Sequence, residues 1–478
     1  MDPETGAGLL HRLTSYSPDR SWDVRPDDPR LRHDLVQNDP ALRPPQTKAY
    51  AEGLPVTRLP RDLPDPGVAA TAVLAGVAAP ARPLDAAQLG RLLFLGAGVV
   101  RTVQHESGTF LFRAAGSAGA RFPLEVYAST RSVEGVPDGV HWYDAREHAL
   151  VQVGPAADGE VTTLVVTGVP WRSGWRYAER AFRHVYWDAG TLLSQLLAAA
   201  DSAGLQPRLR TLFPDVAVSE LVGADGVHEV PVALLSLGDG LPTTLAGGAA
   251  VAGDLPQVEL PLATTAQRAG DRSELGAPWP VGPVVGDVAV SDPLDVVVLR
   301  RGSQRRMDRS ATLARAQLEQ AMASATRGID VPHWVVAHGV DGLAPGVYRW
   351  PDLATPIASG DLRAELERVC LGQSLAAEAA YVVIGATDGS ALDDRGYRDA
   401  QLAAGIVEGR LHLSAYASGA SATGMTFLDS DVPALLGETD DLVTLLFTCV
   451  GVPEYTSRPG GAPGTPAEVR LVASRVSD

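Results

Sequence analysis

Cationic side chains are concentrated in the segment Val297–Arg309, VVLRRGSQRRMDR, directly before a helical pattern, LARAQLEQAMASA. Guanidinium groups form bidentate, charge-assisted hydrogen bonds with phosphate oxygens, and a helix N-terminus adds the positive end of its dipole. In a chain with a net charge of −17, such a cluster favours a phosphate site, and a solvated surface patch is the alternative. The residues expected to converge on the phosphate are Arg300, Arg301, Ser303 and Arg305.

A second segment, Phe112–Tyr127, places a run of small residues before bulky residues with the pattern of a strand. Glycine and alanine in RAAGSAGARFPLEVY let a backbone lie close to a flat molecule or adopt unusual turns. AGSAG also nearly matches the G-x-S-x-G motif of a serine nucleophile elbow. A catalytic triad would need histidine and acidic partners, and none stands out among the ten histidines. The sequence therefore favours a loop that lies against a planar ligand.

Composition limits the class of protein. A chain of 478 residues exceeds one comfortable core, so two domains are expected. The net charge of −17 argues against general nucleic-acid binding. Cys370 and Cys449 lie in apolar runs and are typical of buried core residues, not of disulfides or metal ligands. Since there is no N-terminal signal and no apolar run of about 18 residues, we expect a cytoplasmic protein that does not enter membranes.

The elements that must position these segments alternate between strands and helices. Apolar spacing predicts a helix within Pro83–Val100, with Asp85 as its N-cap, and a longer helix over Trp187–Leu205. Asp188, near the start of that longer helix, is expected to be a capping acid. Strand patterns occur at FPLEVYAS, GVHWYDA, VTTLVVTGV and EVPVALLSLG.

The order of elements then repeats. Arg180–Gly204 aligns without gaps on Arg395–Gly419, an offset of 215 residues, and Val133–Asp144 resembles Val340–Asp352. A repeat of this length indicates a duplicated domain, which usually means that a homodimer has been fused into one chain. The predicted boundaries are an N-terminal arm (1–60), a first domain (61–240), a Gly/Pro-rich linker (241–292) and a second domain (293–478).

The arginine cluster, the small-residue loop and the central helix with its DAG sequence resemble the FMN-dependent nitroreductase superfamily. RAAGSAGARFPLEVY, EGVPDGVHWYD and RYAERAFRHVYWDAG are similar, more narrowly, to SagB-type dehydrogenases, which oxidise thiazolines or oxazolines in peptides to thiazoles or oxazoles. The resemblance implies an α+β fold of two nitroreductase-like domains, each with an antiparallel or mixed sheet flanked by helices. These would form a pseudo-dimer within one chain.

The resemblance also implies how FMN is held at the interface. The second half would supply the phosphate-binding arginines, a glycine-containing turn and a C-terminal basic residue, and the first half the loop over the flavin. The reciprocal set is incomplete, because the first half has only Arg82 in LAGVAAPAR and the second-half loop carries Arg327 and Asp330. We therefore predict one FMN per chain. Its predicted contacts are Arg300, Arg301, Ser303, Arg305, Thr423, Gly424 and Arg458, with Gly116, Ser117, Ala118 and Gly119.

SagB-type enzymes carry a Lys-Tyr pair shortly before the central helix, and the matching residues here are Arg176 and Tyr177. Arginine stays protonated near neutrality and is no base. Tyr177 is therefore expected to transfer the proton, as a phenolate favoured by Arg176 and Arg180. A structural role for the pair, in the pocket wall or in an ion pair, is the alternative.

The expected activity is dehydrogenation of azoline rings in a ribosomally made peptide, with oxygen re-oxidising the flavin. The resemblance implies an azoline-containing precursor peptide, a cyclodehydratase and a leader-binding protein as partners. An NAD(P)H-dependent reductase of nitro or quinone compounds and a catalytically silent scaffold subunit are the alternatives.

Overall fold

The computed structural model describes residues 1–21, 27–32, 34, 36–106, 108–286 and 288–474. Its α+β fold combines helices with two main sheets. The helices are α1 Gly6–Thr14, α2 Ala70–Leu74, α3 Ala86–Ala97, α4 Pro170–Tyr177, α5 Ala181–Ser202, α6 Asp215–Val222, α7 Pro261–Ala269, α8 Leu294–Arg300, α9 Arg315–Thr326, α10 Arg363–Val369, α11 Leu375–Glu378, α12 Asp394–Ala417 and α13 Val432–Leu436. The strands are β1 Val56–Arg58, β2 Val99–His105, β3 Gly108–Arg113, β4 Leu124–Thr130, β5 Gly139–Asp144, β6 Ala149–Gly154, β7 Thr163–Gly168, β8 Pro207–Arg210, β9 Val230–Leu237, β10 His333–Ala337, β11 Gly346–Arg349, β12 Ala358–Ser359, β13 Tyr381–Asp388, β14 Ser421–Met425, β15 Leu442–Gly451 and β16 Ala467–Glu468.

Each half of the chain forms one antiparallel sheet. The first has seven strands in the order β1-β6-β5-β4-β7-β9-β8, and the second has six in the order β12-β11-β10-β13-β15-β14. Apart from the edge strand β1, the two sheets share one order of strands along the chain. The repeat predicted from the sequence is thus matched by a repeat in topology.

Helices α5 and α12 pack against each other, α5 on the first sheet and α12 on the second. Nearly every residue of α5 is buried, as expected of a helix that is apolar on most of its surface. A Cβ on Gly190 would overlap the carbonyl oxygen of Leu402, and a Cβ on Gly405 would overlap that of Trp187. Gly405 follows Gly190 by 215 residues, and Leu402 follows Trp187 by the same number. Each helix therefore makes the equivalent contact with the other, as in a two-fold interface.

Terminal segments cross from one half to the other. Strand β16 pairs in parallel with β2, and Arg101 on β2 donates hydrogen bonds to the carbonyls of Leu299 (2.6 Å) and Arg301 (3.0 Å). At the other end of the chain, the N–H of Ala7 in α1 donates to Asp394 Oδ1 at 2.6 Å. These contacts join the two halves in addition to the packing of α5 against α12.

Most of the predicted elements are observed. Helix α3 begins after Asp85, whose carboxylate accepts the N–H of Gln88 at 2.8 Å, and both Cys370 and Cys449 are fully buried. The predicted arm contains a helix, α1, beside its extended segments. Helix α5 begins at Ala181, so Asp188 lies well inside it and the expected capping role was wrong. Within the described ranges, no helix has the length and apolar character needed to cross a membrane.

We expect Gly405→Ala to lower the free energy of unfolding by about 1–3 kcal/mol, because the added methyl group must displace the backbone of α5. Helix propensity alone would favour alanine by about 1 kcal/mol, so a loss of stability isolates the packing effect. The matched control is Gly286→Ala, where a Cβ meets nothing within 4 Å. Equal urea midpoints for the two variants would contradict the close crossing.

Candidate functional site

A cleft of about 480 Å³ lies between the two halves, within the size range of small-molecule sites. We call it the interhalf cleft. Most of the predicted site residues line it, although they come from segments about 180 to 300 residues apart. Those lining residues are Gly116, Ser117, Ala118, Gly119, Arg176, Tyr177, Ser303, Arg305, Thr423 and Gly424.

The small-residue loop is fixed on α5 through Asp188. Ser117 Oγ donates to Asp188 Oδ2 at 2.5 Å, and the N–H of Ala118 donates to Oδ1 at 2.9 Å. Gly119 has a φ of 56°, and a Cβ there would lie 2.5 Å from the hydroxyl of Tyr177. Glycine is therefore required by both backbone conformation and space. Ser117 is bonded to a carboxylate, an arrangement unlike the Ser-His pair of a nucleophile elbow.

Asp188 is almost fully buried, and the loss of hydration raises the pKa of its carboxyl well above the usual range. The hydrogen bonds from Ser117 and Ala118 act in the opposite direction, as they stabilise the carboxylate. Burial outweighs them in setting the pKa, and the two hydrogen bonds join the loop to the helix.

Arg301 is held by a contact between the two halves. It is 4% exposed, and its Nε and Nη2 donate to the carbonyl of Ala114 at 3.2 and 2.8 Å, across the junction of the halves. Its Nη1 is buried without a hydrogen-bond partner and would lie 3.2 Å from a Cβ on Gly116. Burial and the neighbouring Arg101 lower the pKa of Arg301 to about 10. An acceptor oxygen placed beside Gly116 would satisfy this remaining donor.

The four predicted phosphate residues do not converge on one point. Ser303 and Arg305 line the cleft, whereas Arg300 pairs on the surface with Asp292, at 2.5 Å between Nη2 and Oδ2. Arg300 also ends helix α8, and α9 begins only at residue 315, so the expected helix N-terminus does not directly follow the cluster. Arg458 is exposed and donates to the carbonyl of Glu468 at 3.3 Å, outside the cleft.

Tyr177 borders the cleft and stacks on His184, with 3.9 Å between the ring centroids. Burial raises the pKa of Tyr177 to about 12, and the opposing effect of Arg176 is smaller. Arg180 points away, to Asp429, with 2.8 Å between Nη1 and Oδ2. Burial therefore acts against the expected phenolate at neutral pH.

Sequence reasoning missed two polar residues of α12 that line the cleft, Glu408 and His412. His412 Nε2 lies 3.5 Å from Glu408 Oε1, and His412 Nδ1 is buried without a hydrogen-bond partner. Glu408 occupies the space beside Gly424. At the 215-residue offset the first half has Leu193 and Leu197. This contrast between a polar pair in one repeat and two leucines in the other was the sequence signal that could have identified Glu408 and His412.

The symmetry-related position holds a cavity of only about 70 Å³. Its walls include Leu197, Arg208 and Ile406, which are 215 residues from His412, Thr423 and Thr191 of the interhalf cleft. The linker segment Trp279–Val281 also lines it. The N–H of Trp279 donates to Leu209 O at 2.7 Å, and Arg327 Nη1 donates to Val281 O.

Two proteins that are similar in sequence or in fold are named as nitroreductases. A protein named as a nitroreductase from Methanocaldococcus jannaschii is 28% identical over 174 residues, which is 33% of this chain and 81% of that protein. A solved structure named as a nitroreductase from Anabaena variabilis covers 94% of this chain and 100% of its own, with 22% identity and a TM-score of 0.69. No family model matches the chain.

The microcin synthetase complex of E. coli, solved with truncated pro-MccB17 bound, matches 39% of this chain and 68% of its own at 17% identity. Its TM-score of 0.28 is too low to bear on function. The larger similarity in structure shows a nitroreductase-like α+β fold. FMN is the cofactor of nitroreductase-family proteins, in agreement with the expected cofactor.

We predict that Asp188→Asn becomes progressively more stable than the natural protein as the pH rises above 3.8, the ordinary aspartate pKa. Above that pH the unfolded chain ionises Asp188, while the folded chain retains the proton because its pKa is raised. The free energy of unfolding of the natural protein then falls relative to the variant, by up to about 1.4 kcal/mol per pH unit, until the folded carboxyl ionises. Urea unfolding at several pH values measures the difference, and a constant difference would mean that folded Asp188 titrates normally.

Proposed function

We propose that the chain is an FMN-dependent oxidoreductase with two fused nitroreductase-like halves, residues 61–240 and 293–478, joined by a linker (241–292) and preceded by an arm (1–60). The observation that carries this proposal is the interhalf cleft. Each half contributes to it the residue types that the family resemblance assigns to that half.

The reciprocal crossing of Gly190 and Gly405 and the repeated strand order support an intrachain pseudo-dimer. A second cofactor at the symmetry-related position would need the volume beside Trp279–Val281, where only about 70 Å³ is left. We therefore propose one FMN per chain.

In this proposal Ser303 and Arg305 hold the phosphate through hydroxyl and guanidinium donors. Gly116–Gly119 cover the flat ring from the first half, and Thr423 and Gly424 border it from the second half. The unpartnered Nη1 of Arg301 is available to an acceptor oxygen of the cofactor. When bound, FMN would supply a two-electron hydride acceptor.

The favoured reaction is the oxidation of a thiazoline or oxazoline to a thiazole or oxazole within a peptide, because the loop and the segment before α5 resemble SagB-type dehydrogenases. A hydride leaves one ring carbon, a proton leaves its neighbour, and oxygen is the proposed final electron acceptor. The neutral phenol of Tyr177 can take up the proton only by passing its own proton on. The proposed partners are the azoline-containing precursor peptide, a cyclodehydratase and a leader-binding protein.

A second candidate is NAD(P)H-dependent reduction of a nitro or quinone compound. The observation in its favour is the position of Tyr177 at the border of the cleft, where its phenol can donate a proton to a strongly basic reduced product.

We predict that Arg305→Gln weakens FMN binding about tenfold to a hundredfold, because it removes a charge-assisted hydrogen bond to the phosphate. Fluorescence titration of the cofactor-free chain with FMN measures the change. Arg315→Gln is the matched control, since Arg315 pairs on α9 with Glu319, at 2.8 Å between Nε and Oε1, and does not line the cleft. Equal affinities for the two variants would exclude Arg305 from the phosphate site.

The reaction is tested by incubating the FMN-loaded chain with an azoline-containing peptide and oxygen, and separately with NADPH and menadione. A loss of two hydrogens per ring, detected by mass spectrometry, supports the dehydrogenase. Rapid NADPH oxidation without that loss supports the reductase, and a chain that rejects FMN would be a scaffold.

In whichever assay is active, Tyr177→Phe should retain FMN but slow turnover about a hundredfold, since it lacks the proton-transferring hydroxyl. Unchanged turnover would assign proton transfer to another group.

A further inference from the structure

The cavity of about 70 Å³ at the symmetry-related position is lined by charged side chains from both halves. We call it the second cavity. Asp201 on α5 and Arg208 on β8 belong to the first half. Arg327, directly after α9, and Arg410 on α12 belong to the second half. Three arginines and one aspartate therefore surround a space that the two halves share.

Backbone carbonyls hold the two arginines of the second half. Arg410 Nη1 donates to the carbonyl of Ala325 at 3.1 Å and to that of Arg327 at 2.7 Å. Arg327 Nη1 donates to the carbonyl of Val281 in the linker. A Cβ on Gly76 would lie 2.9 Å from Cζ of Arg327, so this guanidinium packs directly on a glycine. These contacts fix both guanidinium groups but do not neutralise their charge.

Neither of these two arginines has an acidic partner. Within the ranges that the structure describes, Arg327 and Arg410 form no ion pair, whereas Arg208 pairs with Asp239 at 2.5 Å between Nη2 and Oδ1. Arg327 is only 8% exposed, and its Nε is buried without a hydrogen-bond partner. A buried donor without an acceptor costs free energy, and an anion in the second cavity would supply the acceptor.

The local charge also favours an anion. Burial and the charge of Arg327 lower the pKa of Arg410 to about 10, so Arg410 stays protonated at neutral pH. Asp201 is the one acid among the described residues that line the second cavity, and burial raises its pKa to about 6. Even with Asp201 ionised, the two unpaired arginines leave an excess of positive charge.

The size of the second cavity limits the kind of anion. A single water molecule needs about 10–15 Å³ of such space, so about 70 Å³ admits a molecule of a few heavy atoms. Leu197, Trp279 and Ile406 form part of the remaining wall and leave no room for a larger body. Phosphate and sulfate are of this size, whereas a flavin or a nucleotide is not.

We propose that the second cavity binds a small inorganic oxyanion, phosphate or sulfate, between Arg327 and Arg410. The oxygens of the anion accept charge-assisted hydrogen bonds from the two guanidinium groups and satisfy the buried Nε of Arg327. Because Arg327 is bonded to the linker and Asp201 belongs to the first half, the anion joins both halves and the linker. A ligand of this kind stabilises the folded chain by mass action. The proposal does not depend on the proposed function, since no cofactor or reaction enters it.

The test is isothermal titration calorimetry of sodium sulfate into the full chain carrying Arg305→Gln, which removes the proposed phosphate site of the interhalf cleft. Added Arg410→Gln should weaken sulfate binding at least about tenfold, because it removes a charge-assisted hydrogen bond. Added Arg315→Gln is the charge-matched control on the surface of α9 and should leave the affinity unchanged.

A second variant strengthens binding and guards against a chain that fails to fold. Asp201→Asn preserves the shape of the side chain and removes the competing carboxylate. At neutral pH it should tighten sulfate binding at least about threefold. Absence of sulfate binding, equal affinity in Arg410→Gln or unchanged affinity in Asp201→Asn would each overturn the proposal.

The position and the source of the anion are tested separately. In crystals of the full chain soaked in selenate, anomalous density between Arg327 and Arg410 would support the proposal, and density only elsewhere would overturn it. AMP carries a phosphate group on a nucleoside and should not compete with sulfate, because the second cavity is too small. Competition by AMP would contradict the restriction to a free inorganic anion.

Discussion

The architecture depends on the close crossing of α5 and α12. Gly190 and Gly405 let the two helix backbones touch where any side chain would separate them. Because each helix packs on the sheet of its own half, this contact sets the distance between the halves and therefore the width of the cleft. The small-residue loop is attached to α5 through Asp188, while Glu408 and His412 project from α12 into the same cleft. A substitution at the helix crossing would therefore move both sides of the interhalf cleft.

The two halves share a topology but have diverged in chemistry. On one side of the pseudo-axis the cleft contains glycine, serine, glutamate and histidine, and buried donors such as Arg301 Nη1 remain available. On the other side, leucines replace the polar pair of α12, and Trp279 and its neighbours take up the space. A duplicated site that no longer binds a ligand gains stability when apolar side chains fill it, since a cavity costs free energy roughly in proportion to its volume. In the proposed function, this asymmetry corresponds to one retained site and one filled site.

The sequence predicted the elements and the repeat well, because helix α3, its Asp85 cap and the strands are local patterns, and the 215-residue offset needs only an alignment. Ten of the thirteen predicted site residues line the cleft. Local sequence patterns were uninformative where the three-dimensional surroundings of a side chain determine its pKa or its hydrogen bonds. Burial, which no local pattern shows, raises the pKa of Tyr177 to about 12, and Arg301 donates to the carbonyl of Ala114, 187 positions away. Asp188 was misassigned because α5 begins earlier than its apolar spacing suggested.

The central claim is that two unequal halves together form one cofactor site, and it is tested most directly by the FMN content of the natural chain. The chain is saturated with FMN, freed of excess cofactor, and assayed for released flavin and protein concentration. The account predicts one FMN per chain, since the symmetry-related cavity is too small for a flavin. Two FMN per chain would contradict the filled site, and none would contradict the interhalf cleft as a cofactor site.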